Sequence, residues 1–161
     1  MVVGKKDTTI VDIYTDGASS GNPGPGGFGV VLIHKDRKKE LSEGYLKTTN
    51  NRMELLAVIK GLQALKTECK VNIYSDSTYV VNSLKKGWMK KWEANSWKRK
   101  NDIIPNADLW QDLSELLQKH DVEMHWVRGH NGHPLNERCD QLAVQASKGK
   151  VLLVDKGFKK L

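Results

Sequence analysis

The motif Asp12-Ile13-Tyr14-Thr15-Asp16-Gly17 returns sixty positions later as Asn72-Ile73-Tyr74-Ser75-Asp76-Ser77. Each copy runs β-branched and aromatic residues up to a carboxylate, the pattern of a short strand that stops at Asp. Two such strands in one sheet bring Asp16 and Asp76 together at its carboxyl edge, where open α/β folds place their sites. A single Asp at a strand end is better explained as a turn or helix cap. The matched pair favours a site.

The remaining chain supplies the sheet around that pair. Strands are predicted from Ile10 to Asp16, Phe28 to His34 and Glu40 to Leu46, joined by a Gly17 to Gly27 turn containing Asn22-Pro23-Gly24-Pro25-Gly26 and by a polar turn at Asp36 to Lys39. Connections this short make the three strands antiparallel neighbours. A helix from about Asn51 to Lys66 carries the stripe Leu55, Leu56, Ile59, Leu62 and Leu65. Asn50 or Asn51 is expected to cap it. Glu54 is expected in its first turn, where the helix dipole favours a carboxylate whatever its function.

A fourth strand follows from Val71 to Asp76, then a helix from Ser77 to Lys86 with Tyr79, Val80 and Leu84 inward. Gly87 to Asn106 breaks the pattern. A helix from Ala107 to His120 on Leu109, Leu113, Leu116 and Leu117 precedes a fifth strand from Val122 to Val127. There Val122, Met124 and Trp126 share one face, and His125 faces the surface. Leu135 to Ser147 is the last helix, with Cys139, Leu142, Ala143 and Ala146 inward. The order predicts one α/β domain: a mixed five-stranded sheet, three strands antiparallel and two parallel, with helices on both faces.

At 161 residues the chain can bury one sizeable core. No apolar run approaches membrane-spanning length, and Met1 to Lys6 lacks the apolar centre of a signal peptide. Cys69 and Cys139 lack metal-type spacing and read as reduced packing residues. A cytoplasmic monomer is the resulting expectation. The net charge of +7 is unevenly placed: Lys85 to Lys100 carries +6, and Lys148 to Leu161 carries +4, leaving about −3 for the body. An acidic-leaning body with a basic segment suggests a polyanion partner beside a cation site.

Asp16, Glu54, Asp76 and Asp140 stand at element ends or first turns. Converging without a counter-charge, they would repel one another and some would protonate. Mg²⁺ is held by a few carboxylates plus waters and phosphate oxygens. Two such ions about 4 Å apart activate water and stabilise a leaving oxygen in phosphodiester hydrolysis.

From about Ile10 to Ala146 the chain closely resembles the type 1 ribonucleases H of the small bacterial kind. The resemblance rests on Tyr14-Thr15-Asp16-Gly17, Gly21-Asn22-Pro23-Gly24 and Thr49-Asn50-Asn51-Arg52-Met53-Glu54-Leu55. It continues through Tyr74-Ser75-Asp76-Ser77, Asn106-Ala107-Asp108-Leu109-Trp110, Trp126-Val127-Arg128-Gly129-His130 and Asn136-Glu137-Arg138-Cys139-Asp140. It implies sequence-independent hydrolysis of the RNA strand of an RNA–DNA hybrid duplex, leaving 5′-phosphate and 3′-hydroxyl ends. It also implies two Mg²⁺ ions, with Mn²⁺ as a substitute. Asp16 would bridge both ions, Asp140 would join the one that activates water, and Glu54 and Asp76 would join the other. His130 matches a mobile histidine that assists proton transfer or product release, and its neighbours Gly129 and Gly132 suit a moving loop.

By the same resemblance, Gly87 to Asn106 is a basic handle gripping the DNA strand. Trp88, Trp92 and Trp97 either pack that protrusion or offer faces to deoxyribose, Trp88 being the expected substrate contact and Trp97 the expected core residue. Lys47, Thr49 and Asn106 match a DNA-phosphate pocket. Asn22, Asn50 and Asn51 match contacts to the RNA strand, where 2′-hydroxyls distinguish RNA from DNA. Thr78 departs from the pattern: many relatives carry a glutamine there that contacts RNA, which a shorter hydroxyl reaches less well. The tail after Lys148 has no motif and reads as a disordered electrostatic appendage. Two rivals remain, another nuclease of this fold and a catalytically weak hybrid-binding module. The second requires a lost carboxylate, and all four are present.

Overall fold

The computed structural model describes residues 9–129 and 132–158. β1 (Ile10–Ser19), β2 (Gly24–His34) and β3 (Arg37–Thr48) form an antiparallel meander, followed by α1 (Asn50–Gln63) and β4 (Lys70–Ser75). Next come α2 (Thr78–Lys85), α3 (Trp88–Ala94), the short strands β5 (Lys98–Arg99) and β6 (Asp102–Ile103), α4 (Ala107–Lys119), β7 (Asp121–Trp126) and α5 (Pro134–Ser147). The main sheet has five strands in the order β3-β2-β1-β4-β7, with β4 parallel to both neighbours. The expected mixed sheet is therefore present.

Alternation along the strands divides the apolar residues between two layers. Val11 and Ile13 of β1, Val30 of β2, and Val71 and Ile73 of β4 face Met53, Leu55, Val58, Ile59 and Leu62 of α1. Trp110 and Leu113 of α4 close this layer. Trp110 is fully buried, although the leucine stripe of α4 did not single it out. Its indole N–H donates to the Tyr79 hydroxyl at 2.8 Å, satisfying a group that burial would otherwise strand. On the opposite face α5 packs Cys139 and Leu142 on Val31, Tyr14 and Ile33.

That second layer explains why the glycine-rich stretch is strand rather than turn. β1 continues past Asp16 to Ser19, pairing Ala18 with Gly27 and Ser19 with Gly26, so β2 begins at Gly24. A Cβ at Gly27 or Gly29 would lie 2.5 Å from the Ala143 carbonyl oxygen or 2.2 Å from that of Cys139. Only bare backbone lets α5 approach so closely, which outweighs the low strand propensity of glycine.

The basic segment where the periodicity breaks has a short helix and a hairpin. Gly87 precedes α3, and β5 and β6 make a hairpin whose two-residue turn, Lys100-Asn101, has positive φ at both residues, as a primed turn requires. Trp126, expected inward, is exposed at the end of edge strand β7. His125, expected merely at the surface, is half-buried and stacks on Tyr74 with centroids 4.8 Å apart.

The tail, expected as a free appendage, pairs with the sheet. Leu153 donates its N–H to the Gly44 carbonyl at 2.8 Å and accepts from the Leu46 N–H at 2.9 Å, extending the outer edge of β3. Unpaired edge groups of β3 provide the hydrogen bonds that composition did not reveal.

Candidate active site

β1 and β4 pair in parallel as far as Tyr14 and Tyr74. Two residues beyond that last pair lie Asp16, still within β1, and Asp76, just past β4. Asp16 is therefore not a strand-end cap. It is a mid-strand residue beside a gap that opens where β4 stops.

Glu54 approaches the gap from α1. Thr49, rather than Asn50 or Asn51, caps this helix by accepting from the Arg52 N–H at 3.3 Å, which places Glu54 in the second turn. The dipole explanation consequently fails for Glu54, which is buried. Gly17 sets the approach of α1: a Cβ there would be 2.4 Å from the Glu54 backbone nitrogen. The Gly17 N–H donates to Asp16 Oδ1 at 3.0 Å and also to Glu54 Oε1.

Asp16, Glu54 and Asp76 each offer a carboxylate oxygen within 4.8 Å of the others. Asp140, in the second turn of α5, lies outside that triplet but lines the same cleft of about 410 Å³. Gly129 packs behind Asp76, where a Cβ would meet Asp76 Oδ2 at 2.6 Å. Sequence reasoning did not give Gly129 this role, and its place directly before His130 was the available signal.

Burial pushes the Asp16 carboxyl up to about 7, and the charges of Asp76 and Asp140 add to the effect. Hydrogen bonds from Glu54 and the Gly17 N–H oppose it. Glu54 is held well above the carboxylate range, first by burial and then by the charge on Asp16. Hard oxygen donors in such a repulsive group suit a divalent cation, whose charge would let both carboxyls ionise.

Other candidate residues occupy different parts of the surface around this cleft. Asn50, Asn51 and Thr78 line it from α1 and α2. Asn22 accepts from the Asn50 N–H at 2.9 Å, tying the β1–β2 turn to the helix start. Lys47 is exposed on β3. Asn106 has φ of 62° and is held at both ends of its amide: Arg52 Nη1 donates to Oδ1 at 3.4 Å, and Nδ2 donates to the Tyr79 hydroxyl at 3.2 Å.

Trp88 is 38% exposed, with Lys86 Nζ 5.5 Å from its ring centre. Trp92 packs edge-on against Trp110, and Trp97 is also half-buried against the core. Trp88 is thus the most exposed of the three, while Trp92 and Trp97 pack against the core. His130 lies outside the described residues. Sequence reasoning placed Tyr79 inward but missed its hydroxyl as the acceptor for Asn106 and Trp110, and it missed the ionic centre around Arg52. Asp155, the sole acid of a basic tail, was the clue to the latter.

Fold and site together define an α/β domain with an acidic, cation-suited cleft at the end of two parallel strands. The RNase H family profile matches residues 8–148. The ribonuclease H of Desulforamulus reducens is 59% identical over 146 residues, covering 90% of this chain and 92% of that protein. The ribonuclease H of Trichodesmium erythraeum is 56% identical over 151 residues, covering 93% and 96%. Among solved structures, LC9-RNase H1, a type 1 RNase H with the type 2 active-site motif, aligns with TM-score 0.81 at 36% identity. That alignment covers 93% of this chain and 79% of that one. The chain belongs to the ribonuclease H family of endoribonucleases.

Proposed function

We propose that this chain cuts the RNA strand of RNA–DNA hybrids internally and without sequence preference, leaving 5′-phosphate and 3′-hydroxyl ends. The observation that carries the reading is the convergence of Asp16, Glu54 and Asp76 within 4.8 Å, in a cleft that Asp140 also lines. Mg²⁺ bound there, or Mn²⁺ in its place, would supply an activated water and neutralise charge on the phosphate. Asp16, central to the acidic group, would hold both ions; Glu54 and Asp76 would complete one set and Asp140 the other.

The chain's own residues bring the scissile phosphate to those carboxylates. Asn22, Asn50, Asn51 and Thr78 border the RNA side and offer amides and a hydroxyl to the sugar edge. Lys47, Thr49 and Asn106 take a DNA phosphate. The lysines of α3 and the β5–β6 hairpin add salt-dependent affinity, with Trp88 against a deoxyribose face. His130 assists proton transfer or product release.

A uniform hybrid should be cut with Mg²⁺ and spared in EDTA, while double-stranded DNA, double-stranded RNA and single-stranded RNA are left intact. Equal cutting of double-stranded DNA would point to another nuclease activity. Tight hybrid binding with no cutting would identify a silent binding module.

A further inference from the structure

We propose that residues 152–158 form a strap that positions the DNA-phosphate pocket through Arg52, an inference that rests on the hybrid-cleaving reading above. The three pocket residues come from separate places in the chain: Lys47 near the end of β3, Thr49 capping α1, and Asn106 preceding α4. Each is fixed next to a strap contact.

Lys47 is bracketed by two of them. On one side the Leu46 N–H donates to the Leu153 carbonyl, and on the other the Thr48 hydroxyl donates to Asp155 Oδ2 at 2.7 Å. Both chain neighbours of Lys47 are thus anchored, Leu46 through its backbone and Thr48 through its hydroxyl, while the Lys47 side chain stays exposed.

Arg52 links the other two. Its backbone N–H is the group Thr49 caps, and its Nη1 reaches Asn106. The side chain is 3% exposed, and a guanidinium there needs every donor satisfied. Asp155 accepts from Nε at 2.7 Å and Nη2 at 2.9 Å, while Asp108 accepts from Nη1 at 2.9 Å and Nη2 at 2.7 Å. With Asn106, these bonds use the whole donor fork.

The two acids are not equivalent. Asp155 is 7% exposed and Asp108 44% exposed, so removing Asp155 leaves a buried cation held by a partly solvated partner. Arg52 can then turn toward water and release Asn106, whose amide is otherwise clamped between Arg52 and Tyr79. Gly157 completes the strap. A Cβ there would come 1.7 Å from Asp108 Oδ2 and 2.7 Å from Arg52 Nη2, so the strap lies directly on the ion pair. Buried ion pairs are weak sources of net stability but hold one geometry well, and here the geometry is that of a substrate pocket.

The test uses Asp155→Ala, Asp155→Glu and Gly157→Ala in the full chain, assayed well below each variant's melting temperature. Hybrid Kd in EDTA and hybrid KM with Mg²⁺ should both rise about five- to tenfold for Asp155→Ala, with kcat within twofold. Asp155→Glu should recover part of the loss. In an Asn106→Ala background, Asp155→Ala should add less than about twofold, because the pocket is already broken. Gly157→Ala should reproduce the Kd effect with all charges retained, which keeps the test valid if Asp155→Ala does not fold. A lowered Tm with unchanged Kd and KM would overturn the proposal, as would full additivity with Asn106→Ala. Failure of the wild type to cut hybrid would instead overturn the functional reading, which the EDTA binding arm distinguishes.

Discussion

Asp16→Asn removes the charge from the centre of the acidic cleft while leaving a carbonyl oxygen for the Gly17 N–H. The wild-type carboxyl ionises near 7 instead of at its ordinary 3.8. Ionising it in the metal-free fold therefore meets about 4 kcal/mol of opposition. Local relaxation reduces the measurable part to about 2 kcal/mol. Below pH 3.8 Asp16 is neutral in both the folded and unfolded chain, so the substitution changes little. Between pH 3.8 and 7 the unfolded chain loses this proton while the fold keeps it, and wild-type stability falls as pH rises. Above 7 the penalty is fully developed and constant.

Calorimetry in EDTA should show the variant melting about 4 to 8 °C above wild type at pH 8, with the gap shrinking toward zero near pH 4. Cleavage should be abolished and hybrid binding kept. A lower melting temperature at pH 8, or a gap independent of pH, would refute the burial-and-repulsion account and make Asp16 a structural residue.

Gly17→Ala places a methyl 2.4 Å from the Glu54 nitrogen. It should destabilise the fold by about 1–3 kcal/mol in chemical denaturation, and it should lower kcat more than it raises KM because Glu54 is displaced. Replacing Lys90, Lys91, Lys98 and Lys100 with Gln should weaken hybrid binding and flatten the slope of log Kd against log salt by about 1 to 3. An unchanged slope would remove α3 and the β5–β6 hairpin from the substrate path.

The elements with strong periodicity were legible in order and type. The leucine stripe of α1, the alternation around Ile13 and Ile73, and the amphipathic α4 all report burial directly through spacing. Boundaries were legible only where a local signal ends an element. β1 and β2 overran their expected limits because pairing and the approach of α5 decide whether glycine stays extended. Glu54 moved from the first turn to the second because the cap is Thr49, one or two residues earlier than the asparagines. Trp92 packs against Trp110 because α3 folds back onto α4, and composition carries no information about that contact.

The acidic residues and their chain order follow from sequence, because the chemistry of carboxylates travels with the residue. Their mutual distances do not. Convergence of Asp16, Glu54 and Asp76, with Asp140 on the same cleft, depends on β4 stopping short of β1 and on Gly17 admitting α1 at close range. The tail gives the sharpest contrast. Its lysines predict a solvated appendage, yet Asp155 docks on Arg52 more than a hundred positions away. Only tertiary structure reveals that a buried guanidinium was waiting for a second carboxylate, because burial is a property of the assembled layers and not of any segment of chain.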